Sequence, residues 1–591
     1  MSTGQVFRPL SKKKYDGKST GFVIGIDVGT TFSGVSYAVL RPGEIPEVQT
    51  VTKFSNQTIS NSKVPSILYY DGTEMKAAGA EALGEEVVHN AEEAGWLKVE
   101  YFKMHLRPAN IPLETNGLIL QPASFPTSDG LTIVQVLSDF LRYLYKETLD
   151  YIGRFHADGN ELRPIAEENT TFVLSHPNGW IGLPQQRMRE AAMRGGLVKN
   201  AEESQSRINF VSEGEASALA CLANGLCPSN LQPGFRFIIA DAGGGTLDIT
   251  SYEVTKTKPK LELKETTASD SRFAGSIFVN MKFQKWLEDK LRGSKWSSPK
   301  EIEDFIKGTF ESLTKKGFKS SSESSWLRIA NRRDSDTKLG LKMGSLRIEG
   351  SVIASCFEPN ARMARWGFGD SPWLLQQLQD RLKGEHITVS KPDTNVAKAV
   401  ANGNVLFALE SCTVISRCTR STYGTLCSVA YNPGNPEHLR RKDTAYTSLD
   451  SIRRLPQMFD VIVPKNTEVK ESKTFTCSYN YLRPQIRGRE FEITETVYFY
   501  CGELYKTLWL DENRSSLYQA CNIIADLSEL CCDSTLERRN GVAYWKVIFE
   551  IEIFFGKTEL QARIKWNTNG KIEYGPASMI FDEESDYLMK D

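Results

Sequence analysis

The chain contains two related segments, the first of which reads Phe22-Val-Ile-Gly-Ile-Asp27-Val-Gly29-Thr30-Thr31-Phe-Ser-Gly34. The second reads Phe237-Ile-Ile-Ala-Asp241-Ala-Gly243-Gly244-Gly245-Thr246-Leu-Asp248. In each, an apolar run ends in Asp, passes through Gly and Thr, and continues as a second apolar run. This pattern predicts a strand, a glycine turn and a second strand. The sequence therefore predicts two hairpins of the same design.

The turn of each predicted hairpin carries residue types that suit a polyphosphate. Glycine lets the backbone come close to a ligand, and consecutive backbone N–H groups can hold an anion. An Asp at the end of a strand can bind a cation, directly or through water. Two such hairpins on one chain predict two lobes that grip one metal-bound polyphosphate.

Composition and charge exclude several classes of protein. The 591 residues are 40% hydrophobic and 25% charged, and a net charge of −1 gives no reason to expect nucleic acid or an anionic membrane as a partner. No stretch reaches the ~20 apolar residues that a membrane span needs. Residues 1–20 are polar and lack the apolar core of a secretory signal. We expect a cytoplasmic protein without a membrane span, and a nuclear location is the alternative.

The cysteines do not form a recognisable framework. The chain has 11 of them at irregular spacing, without a C-x-x-C pair, and its 6 histidines are scattered. We therefore expect free thiols rather than disulfides or a metal site.

The chain changes character about two thirds of the way along. Up to about 411 the spacing of apolar residues predicts a mostly helical stretch over 277–320 and single helices near 77–100, 131–151, 184–195 and 215–224. From 412 onward short β-type runs dominate, such as Val547-Ile-Phe-Glu-Ile-Glu-Ile-Phe-Phe555. Asn569-Gly570 is a strong hairpin signal among them. We predict a β-rich domain over 412–591 without a long helical lid.

Two common nucleotide motifs do not fit the chain. Gly17-Lys18-Ser19 resembles the end of a P-loop, but Lys12 stands where the first glycine is needed, and a polar tail rather than a strand precedes it. A dinucleotide fingerprint would place its third glycine at Asp248 and would continue as a helix rather than a strand. The paired hairpins fit neither motif.

The two hairpins resemble the phosphate motifs of the actin, sugar-kinase and 70-kDa heat-shock superfamily. Further segments resemble motifs of the heat-shock branch in the same order, namely Thr171 to Gly196 with Pro177 and Arg187, Ser212-Glu213-Gly-Glu-Ala-Ser-Ala, Gly367-Phe368-Gly369-Asp370-Ser371-Pro372, and Pro392-Asp393 through Phe407. The Phe-Gly form of the Gly367 motif, with Ser416-Arg417 through Tyr423-Gly424, is similar to the divergent branch typified by the 12A and 12B heat-shock-like proteins.

This resemblance implies an α/β fold with a two-lobed, actin-like (ribonuclease-H-like) ATPase domain followed by the β-rich C-terminal domain. Residues 1–20 would form a flexible tail and 21–411 the ATPase domain. Lobe I would comprise about 21–215 plus 390–411, and lobe II about 216–389.

The resemblance also implies roles on the phosphate side of the site. Asp27 and Asp241 would hold Mg²⁺ through its waters, and Glu213 and Asp248 would complete that shell and position the attacking water. Lys103 would stabilise charge at the γ-phosphate. The groups that offer N–H or hydroxyl donors to the phosphates would be Gly29, Thr30, Thr31, Gly243, Gly244, Gly245 and Thr246.

On the nucleoside side, the residues that the resemblance implies are Gly275, Glu311, Lys315, Gly367, Phe368, Gly369 and Asp393. The chain departs from the family here. Trp366 and Ala274 each replace a glycine, and Asp370 stands where the family has an Arg that stacks on adenine. The phosphate and metal side is intact.

Simpler explanations compete with several of these roles. Asp27 or Asp241 alone would serve as a turn-capping carboxylate, and Asp248 as a solvent-facing strand residue. Lys103 would be a surface lysine. Glu311 and Lys315 lie four residues apart, one more than in the heat-shock pattern, so a solvated ion pair fits as well as a nucleoside contact.

The function that the resemblance implies is that of an ATP-binding heat-shock-like protein. Its cofactors would be ATP, ADP and Mg²⁺, and slow hydrolysis would drive lobe closure and couple it to a protein or peptide client bound by the C-terminal domain. Co-chaperones are a further expected class of partner. A nucleotide-sensing scaffold without turnover is the alternative, and a small-molecule kinase on the same fold is a third.

Overall fold

The computed structural model describes residues 13–57, 60–107, 114–115, 118–119, 130–180, 182–224, 231–258, 260–363, 372–385, 387–390, 398–409, 414–470, 473–484, 491–500, 502, 508–533, 536–556 and 559–576. These residues form a mixed α/β structure with several sheets. The chain divides into two compact units. The first is drawn from Met1–Trp180, Arg187–Leu261 and Ser269–Thr413, and the second from Ile181–Gln186, Glu262–Ala268 and Val414–Asp591.

The strands are, in chain order, β1 (Gly21–Asp27), β2 (Phe32–Leu40), β3 (Gln49–Thr50), β4 (Val64–Pro65), β5 (Ile67–Asp71), β6 (Glu74–Ala78), β7 (Leu97–Glu100), β8 (Glu114–Thr115), β9 (Leu118–Ile119), β10 (Thr170–His176), β11 (Ile208–Ser212), β12 (Arg236–Ala242), β13 (Leu247–Lys256), β14 (Glu262–Glu265), β15 (Asp270–Arg272), β16 (Ser325–Arg328), β17 (Leu341–Lys342), β18 (Ser345–Ile348), β19 (Val414–Cys418), β20 (Thr422–Ala430), β21 (Tyr446–Thr447), β22 (Arg453–Val463), β23 (Glu468–Lys470), β24 (Thr474–Pro484), β25 (Glu492–Tyr500), β26 (Leu508–Trp509), β27 (Leu517–Asp526), β28 (Leu536–Arg539), β29 (Val542–Gly556), β30 (Glu559–Thr568) and β31 (Lys571–Tyr574).

The helices are α1 (Glu85–Ala94), α2 (Ile133–Phe155), α3 (Gly159–Glu168), α4 (Leu183–Arg194), α5 (Ala201–Arg207), α6 (Glu213–Ala223), α7 (Ser276–Leu291), α8 (Pro299–Phe305), α9 (Lys315–Gly317), α10 (Gly350–Met363), α11 (Pro372–Leu382), α12 (Ala399–Leu409), α13 (Pro436–Arg440), α14 (Leu510–Asn513) and α15 (Ser528–Asp533). A π-helix over Ile306–Thr314 joins α8 to α9.

The main sheet of the first unit has the order β11-β10-β1-β2-β3, with β4 also paired to β2. β1 runs parallel to β10 and antiparallel to β2, and Asp27 is paired with Gly34 where the first hairpin turns. All seven residues of β1 are buried, because the strand lies inside the sheet with structure on both faces. The predicted strand, glycine turn and strand are confirmed for this segment.

The second hairpin is formed by β12 and β13, which are antiparallel and pair Asp241 with Asp248. β15 adds to the other side of β13. Residues directly opposite each other on neighbouring strands project to the same face of a sheet, so these two carboxylates lie on one face. The prediction of a second hairpin is also confirmed.

Helix α12 packs tightly against the main sheet and against α6. A Cβ placed on Gly403 would lie 1.9 Å from the carbonyl oxygen of Ala216, so only glycine allows α12 and α6 to come this close. The side chain of Asn404 donates to the carbonyl of Ile26 at 3.0 Å, which fixes α12 to β1 just before Asp27. The helix thereby supports both the first hairpin and the beginning of α6.

The second unit consists mainly of antiparallel strands. One sheet has the order β21-β22-β20-β25-β27, and another has the order β24-β29-β30-β31. Their facing side chains form a common apolar core, which includes Val463, Val497, Ile523, Ile551 and Ile564. Asn569 and Gly570 have φ values of 53° and 83° between β30 and β31, as a type I′ hairpin turn requires, so this turn prediction is confirmed.

The helix predicted near 77–100 is too long. The α-helix there is limited to α1, which follows a short 3₁₀ helix over Glu81–Leu83. α1 begins after Gly84 and ends before Gly95, which adopts a left-handed φ of 69°. The flanking residues form β6 and β7, which pair with β5 on either side. Short strands next to a glycine-capped helix give the same apolar spacing as one longer helix, which explains the error.

Two general expectations concern membranes and thiols. Among the residues that the structure describes, no helix is both long and apolar enough to cross a bilayer. The cysteines whose side chains it describes, namely Cys221, Cys356, Cys418, Cys427, Cys477 and Cys521, are free thiols, as predicted.

Candidate functional site

The turn of the first hairpin is held by two buried serines. The N–H of Gly29 donates to Ser33 Oγ at 3.1 Å, and Ser66 Oγ donates to the carbonyl of Gly29 at 2.7 Å. The two hydroxyls are themselves 2.8 Å apart. A Cβ on Gly29 would lie 2.1 Å from the carbonyl oxygen of Phe32, so the turn requires glycine at this position. This local network fixes the backbone that carries Thr30 and Thr31.

The turn of the second hairpin is held from the beginning of α7. The N–H groups of Gly275, Ser276 and Ile277 donate to the carbonyls of Gly245, Gly243 and Gly244 at 3.0, 3.1 and 3.0 Å. The N–H of Gly243 also donates across the turn to the carbonyl of Thr246 at 2.9 Å. Three consecutive amides at a helix N-terminus therefore bind the glycine turn itself. The amide of Gly275, which the sequence assigns to the nucleotide, is used in this contact.

The two turns face each other. A Cβ on Gly244 would lie 2.4 Å from Thr31 Oγ1, and a Cβ on Gly245 would lie 2.5 Å from Thr30 Oγ1. Neither glycine has a positive φ, so the requirement is for space rather than for backbone conformation. The structure thus brings together the predicted phosphate residues of both hairpins.

Four acidic side chains converge below these turns. Asp27, Glu213 and Asp248 are buried, with 5%, 7% and 1% of their surface exposed. Ser217 Oγ donates to Asp241 at 2.6 Å, and the backbone N–H of Asn178 donates to Asp248 at 2.5 Å. The solvent-facing alternative for Asp248 is therefore wrong.

Two lysines enter the same cluster. Lys103 is 4% exposed and forms an ion pair with Glu213, so the alternative of a surface lysine is wrong. It lies in a 3₁₀ turn over Phe102–Leu106, which is anchored in the apolar core by Phe102, Met104 and Leu106. Lys63 forms an ion pair with Asp27.

The cluster carries more buried negative charge than its lysines balance. Burial raises the pKa of Glu213 to about 8, and its acidic neighbours add to the rise while Lys103 opposes it. Burial also raises the pKa of Asp248 to about 7 and raises the pKa of Asp241. Burial disfavours the charge on Lys103, but Glu213 and Asp27 outweigh that effect and raise the pKa of Lys103.

The donor set fits a divalent cation that prefers oxygen ligands. Four carboxylates and two ammonium groups leave two negative charges uncompensated when all six are ionised, and one Mg²⁺ would balance them. Among the described residues, no group of three or more His, Cys, Asp or Glu side chains is spaced to ligate a metal ion directly. Asp27 and Asp241, on equivalent positions of the two hairpins, are the residues that would hold the ion.

Asn178 connects the segment after β10 to the second hairpin. Its side-chain Nδ2 donates to the carbonyl of Ile249, the hydroxyl of Thr250 and the carbonyl of Asp270, at 3.2, 3.1 and 3.2 Å. Asn178 is 1% exposed and follows Pro177, which the sequence assigns to coupling between lobes. The contact therefore falls in the segment from which coupling is predicted.

The candidate nucleoside residues are only partly within the described chain. Lys315 is 7% exposed, and its Nζ lies 2.7 Å from Asn280 Oδ1, 3.4 Å from the carbonyl of Ser276 and 3.5 Å from Glu311. A solvated ion pair is thus the wrong interpretation for Lys315. The predicted residues that lie outside the described residues are Gly367, Phe368, Gly369 and Asp393, together with the departures Trp366 and Asp370.

Sequence reasoning missed several residues of the site. Ser217 lies in the quoted motif, four residues after Glu213, so the helical spacing places both side chains on one face and could have indicated Ser217. Lys63, Asn178 and Asn280 reach the site through contacts with residues distant in sequence, and no local pattern marks them.

Comparisons with known proteins find similarity to heat-shock-like proteins. The chain is 22% identical over 566 aligned residues to heat shock 70 kDa protein 12A of Mus musculus, covering 78% of this chain and 79% of the relative. The Homo sapiens protein of the same name matches with the same identity and coverage. Heat shock 70 kDa protein 12B of Homo sapiens is 23% identical over 325 residues, covering 46% of this chain and 45% of the relative. No protein-family model matches the chain.

Proposed function

Since the chain is a divergent relative of the 70-kDa heat-shock-like proteins of the 12A and 12B branch, we propose that it binds ATP with Mg²⁺ and hydrolyses it slowly. The first unit acts as a two-lobed, actin-like ATPase in which the main sheet and the β12-β13-β15 sheet belong to different lobes. Closure of these lobes on the nucleotide is the conformational step.

One observation carries this proposal. Two hairpins of the same design place their glycine turns against each other, and a cluster of four carboxylates and two lysines lies beneath both turns. Two of the carboxylates, Asp27 and Glu213, pair with the lysines, and the negative charge that remains costs free energy unless a cation balances it. A metal-bound polyphosphate would make use of all these charged groups.

Different residues of the chain bind the phosphates and position the attacking water. The N–H groups of Gly29 and Gly243 bond within their own turns. The other backbone N–H groups of the turns, with Thr30, Thr31 and Thr246, bind phosphate oxygens, and Lys103 places a positive charge where charge develops during transfer. Glu213, which is held by its ion pair with Lys103, orients the attacking water together with Asp248. When bound, Mg²⁺ supplies charge neutralisation of the polyphosphate.

The second unit is the proposed protein-binding part. Its two antiparallel sheets offer strand edges at which an extended segment of a client protein adds by main-chain hydrogen bonds. Co-chaperones are proposed as further partners, and the proposed location is the cytoplasm or the nucleus.

The first experiment is thermal unfolding with and without Mg·ATP at millimolar concentration. Binding raises the midpoint, because a ligand that binds only the folded state stabilises it. The absence of any shift would contradict the proposal.

The second experiment is single-turnover hydrolysis of γ-labelled ATP by the wild type and Asp241→Asn. We expect phosphate release to fall at least tenfold in the variant, while the exposed Asp289→Asn, matched in chemistry, retains the wild-type rate. If the wild type and Asp241→Asn both release phosphate only at the background rate and still bind ATP, the protein is a nucleotide-sensing scaffold rather than an ATPase. Transfer of the label to a sugar or polyol would favour the kinase.

A further inference from the structure

Lys63 is the second cation of the carboxylate cluster. Its Nζ donates to an oxygen of Asp27, and 16% of the lysine side chain and 7% of the aspartate side chain are exposed. Asp27 is the residue of the first hairpin that would hold Mg²⁺. An ammonium group therefore lies against a carboxylate that the nucleotide-bound protein would need for the metal.

The backbone of Lys63 is fixed on both sides. Its N–H donates to Asn61 Oδ1 at 3.1 Å, and Gln57 Nε2 donates to its carbonyl at 3.0 Å. The next two residues form β4, which pairs with Phe32 and Ser33 immediately after the first glycine turn. The backbone of Lys63 is therefore fixed beside the first glycine turn, and its side chain extends from there to Asp27.

The charge of Lys63 acts on both hairpins. Besides its contact with Asp27, its ammonium group lies close enough to Asp241 to interact electrostatically with that carboxylate. Lys103 is already committed to Glu213. The two lysines thus form ion pairs with different carboxylates, and Lys63 is the one paired with Asp27.

The lysine side chain suits an exchange of partners. An ammonium group has three donors on a flexible stem, so it can leave a carboxylate for a phosphate oxygen without any movement of the backbone. A polyphosphate that arrives with Mg²⁺ brings both a new partner for Lys63 and a new partner for Asp27. Each of the two separated groups then has a partner of opposite charge again.

We propose that Lys63 is a second phosphate-binding lysine, which neutralises Asp27 in the nucleotide-free protein and donates to the polyphosphate when Mg²⁺ takes over Asp27. This inference rests on the proposed binding of Mg·ATP. Two consequences have opposite signs. Removal of the charge weakens nucleotide binding, and it strengthens the binding of Mg²⁺ alone, because the competitor for Asp27 is gone.

The test uses Lys63→Met, Lys63→Arg and, as the matched control, Lys76→Met, whose lysine is exposed and pairs with Glu74 on β6. Isothermal titration of the full chain with Mg·ATP is expected to show about 10- to 100-fold weaker binding for Lys63→Met, as for the loss of a hydrogen bond to a charged group. Lys63→Arg recovers most of the affinity, and Lys76→Met is unchanged. Adenosine, which has no phosphate, binds all variants equally.

Titration of the nucleotide-free protein with Mg²⁺ alone separates this role from a structural one. We expect Lys63→Met to gain stabilisation by Mg²⁺ relative to wild type, which a merely damaged fold does not do. If the wild type binds Mg·ATP and Lys63→Met binds it with the same affinity, the inference is overturned and the proposed function stands. A wild type that binds no Mg·ATP would overturn both.

Discussion

The backbone N–H of Asn178 donates to the carboxylate of Asp248 across 2.5 Å, and so bonds the segment after β10 to the second glycine hairpin. The side chain of the same asparagine makes three more hydrogen bonds to residues of β13 and β15. A single buried residue therefore holds a candidate catalytic carboxylate and the sheet that carries it. In the proposed two-lobed arrangement, coupling between the lobes would pass through this residue.

Asn178→Ala is expected to destabilise the protein by about 2–4 kcal/mol. The substitution removes the side-chain amide whose two N–H groups are shared among three acceptors, at about 1 kcal/mol net per hydrogen bond, and leaves those acceptors without this donor. Denaturant unfolding monitored by fluorescence measures the loss. Asn224→Ala, which removes one hydrogen bond at the end of α6, serves as the control and should cost no more than about 1 kcal/mol. An equal cost for both variants would contradict the special position of Asn178.

Gly244→Ala and Gly245→Ala are expected to weaken Mg·ATP binding at least tenfold. The new methyl group would meet Thr31 or Thr30 at 2.4 or 2.5 Å from the hydroxyl oxygen, so the two turns must move apart. Displaced turns no longer direct their N–H groups at one ligand. Equilibrium binding of a fluorescent ATP analogue measures the effect. Gly153→Ala, at a position in α2 with no atom within 4 Å of the new Cβ, should leave binding unchanged.

The two hairpins could be predicted because their signal is local. Strand periodicity, a terminal Asp and glycines at the turn are all contained in about a dozen residues, and the structure forms both hairpins as expected. Burial of Lys103 and Asp248 could not be derived from the pattern alone, since both residue types are usually exposed.

The remaining parts of the site could not be predicted because they depend on distant contacts. Asp27 meets Lys63, Asp248 meets Asn178, and Lys315 meets Asn280, in each case from another element of the chain. The π-helix over Ile306–Thr314 was also hidden, because four-residue spacing between Glu311 and Lys315 fits an α-helix equally well. Glu311 and Lys315 lie one residue further apart than in the heat-shock pattern, and a π-helix accommodates such an extra residue.

Gly403→Ala is expected to destabilise the first unit by about 1–3 kcal/mol or more. Its Cβ would lie 1.9 Å from the backbone carbonyl of Ala216, and backbone atoms cannot turn away as a side chain can. The displacement would be transmitted to α6, whose first residue is Glu213 and which carries Ser217. The midpoint of thermal unfolding should therefore fall, and Mg·ATP should bind more weakly. Gly308→Ala, where the new methyl group meets open space, is the matched control.

Lys315→Met is expected to cost about 2 kcal/mol of stability and to be coupled to Asn280→Ala. The lysine supplies the donors for Asn280 Oδ1 and the carbonyl of Ser276, and the same Ser276 donates its N–H to Gly243. Removing both partners should cost less than the sum of the single changes, because the second loses a contact that is already broken. A double-mutant cycle by denaturant unfolding gives the coupling energy. Additive costs would mean that the two residues act independently.

The same variants show whether Lys315 binds the nucleoside or positions the glycine turn. If it positions the turn, Lys315→Met weakens ATP more than adenosine, because the displaced turn contacts phosphate rather than base or ribose. If the lysine contacts the nucleoside itself, Lys315→Met should weaken the binding of ATP and of adenosine by the same factor. We expect the first result, since all three contacts of Lys315 in the structure are to protein atoms around the beginning of α7 and the π-helix. Competition binding of ATP and adenosine to each variant measures the two factors directly.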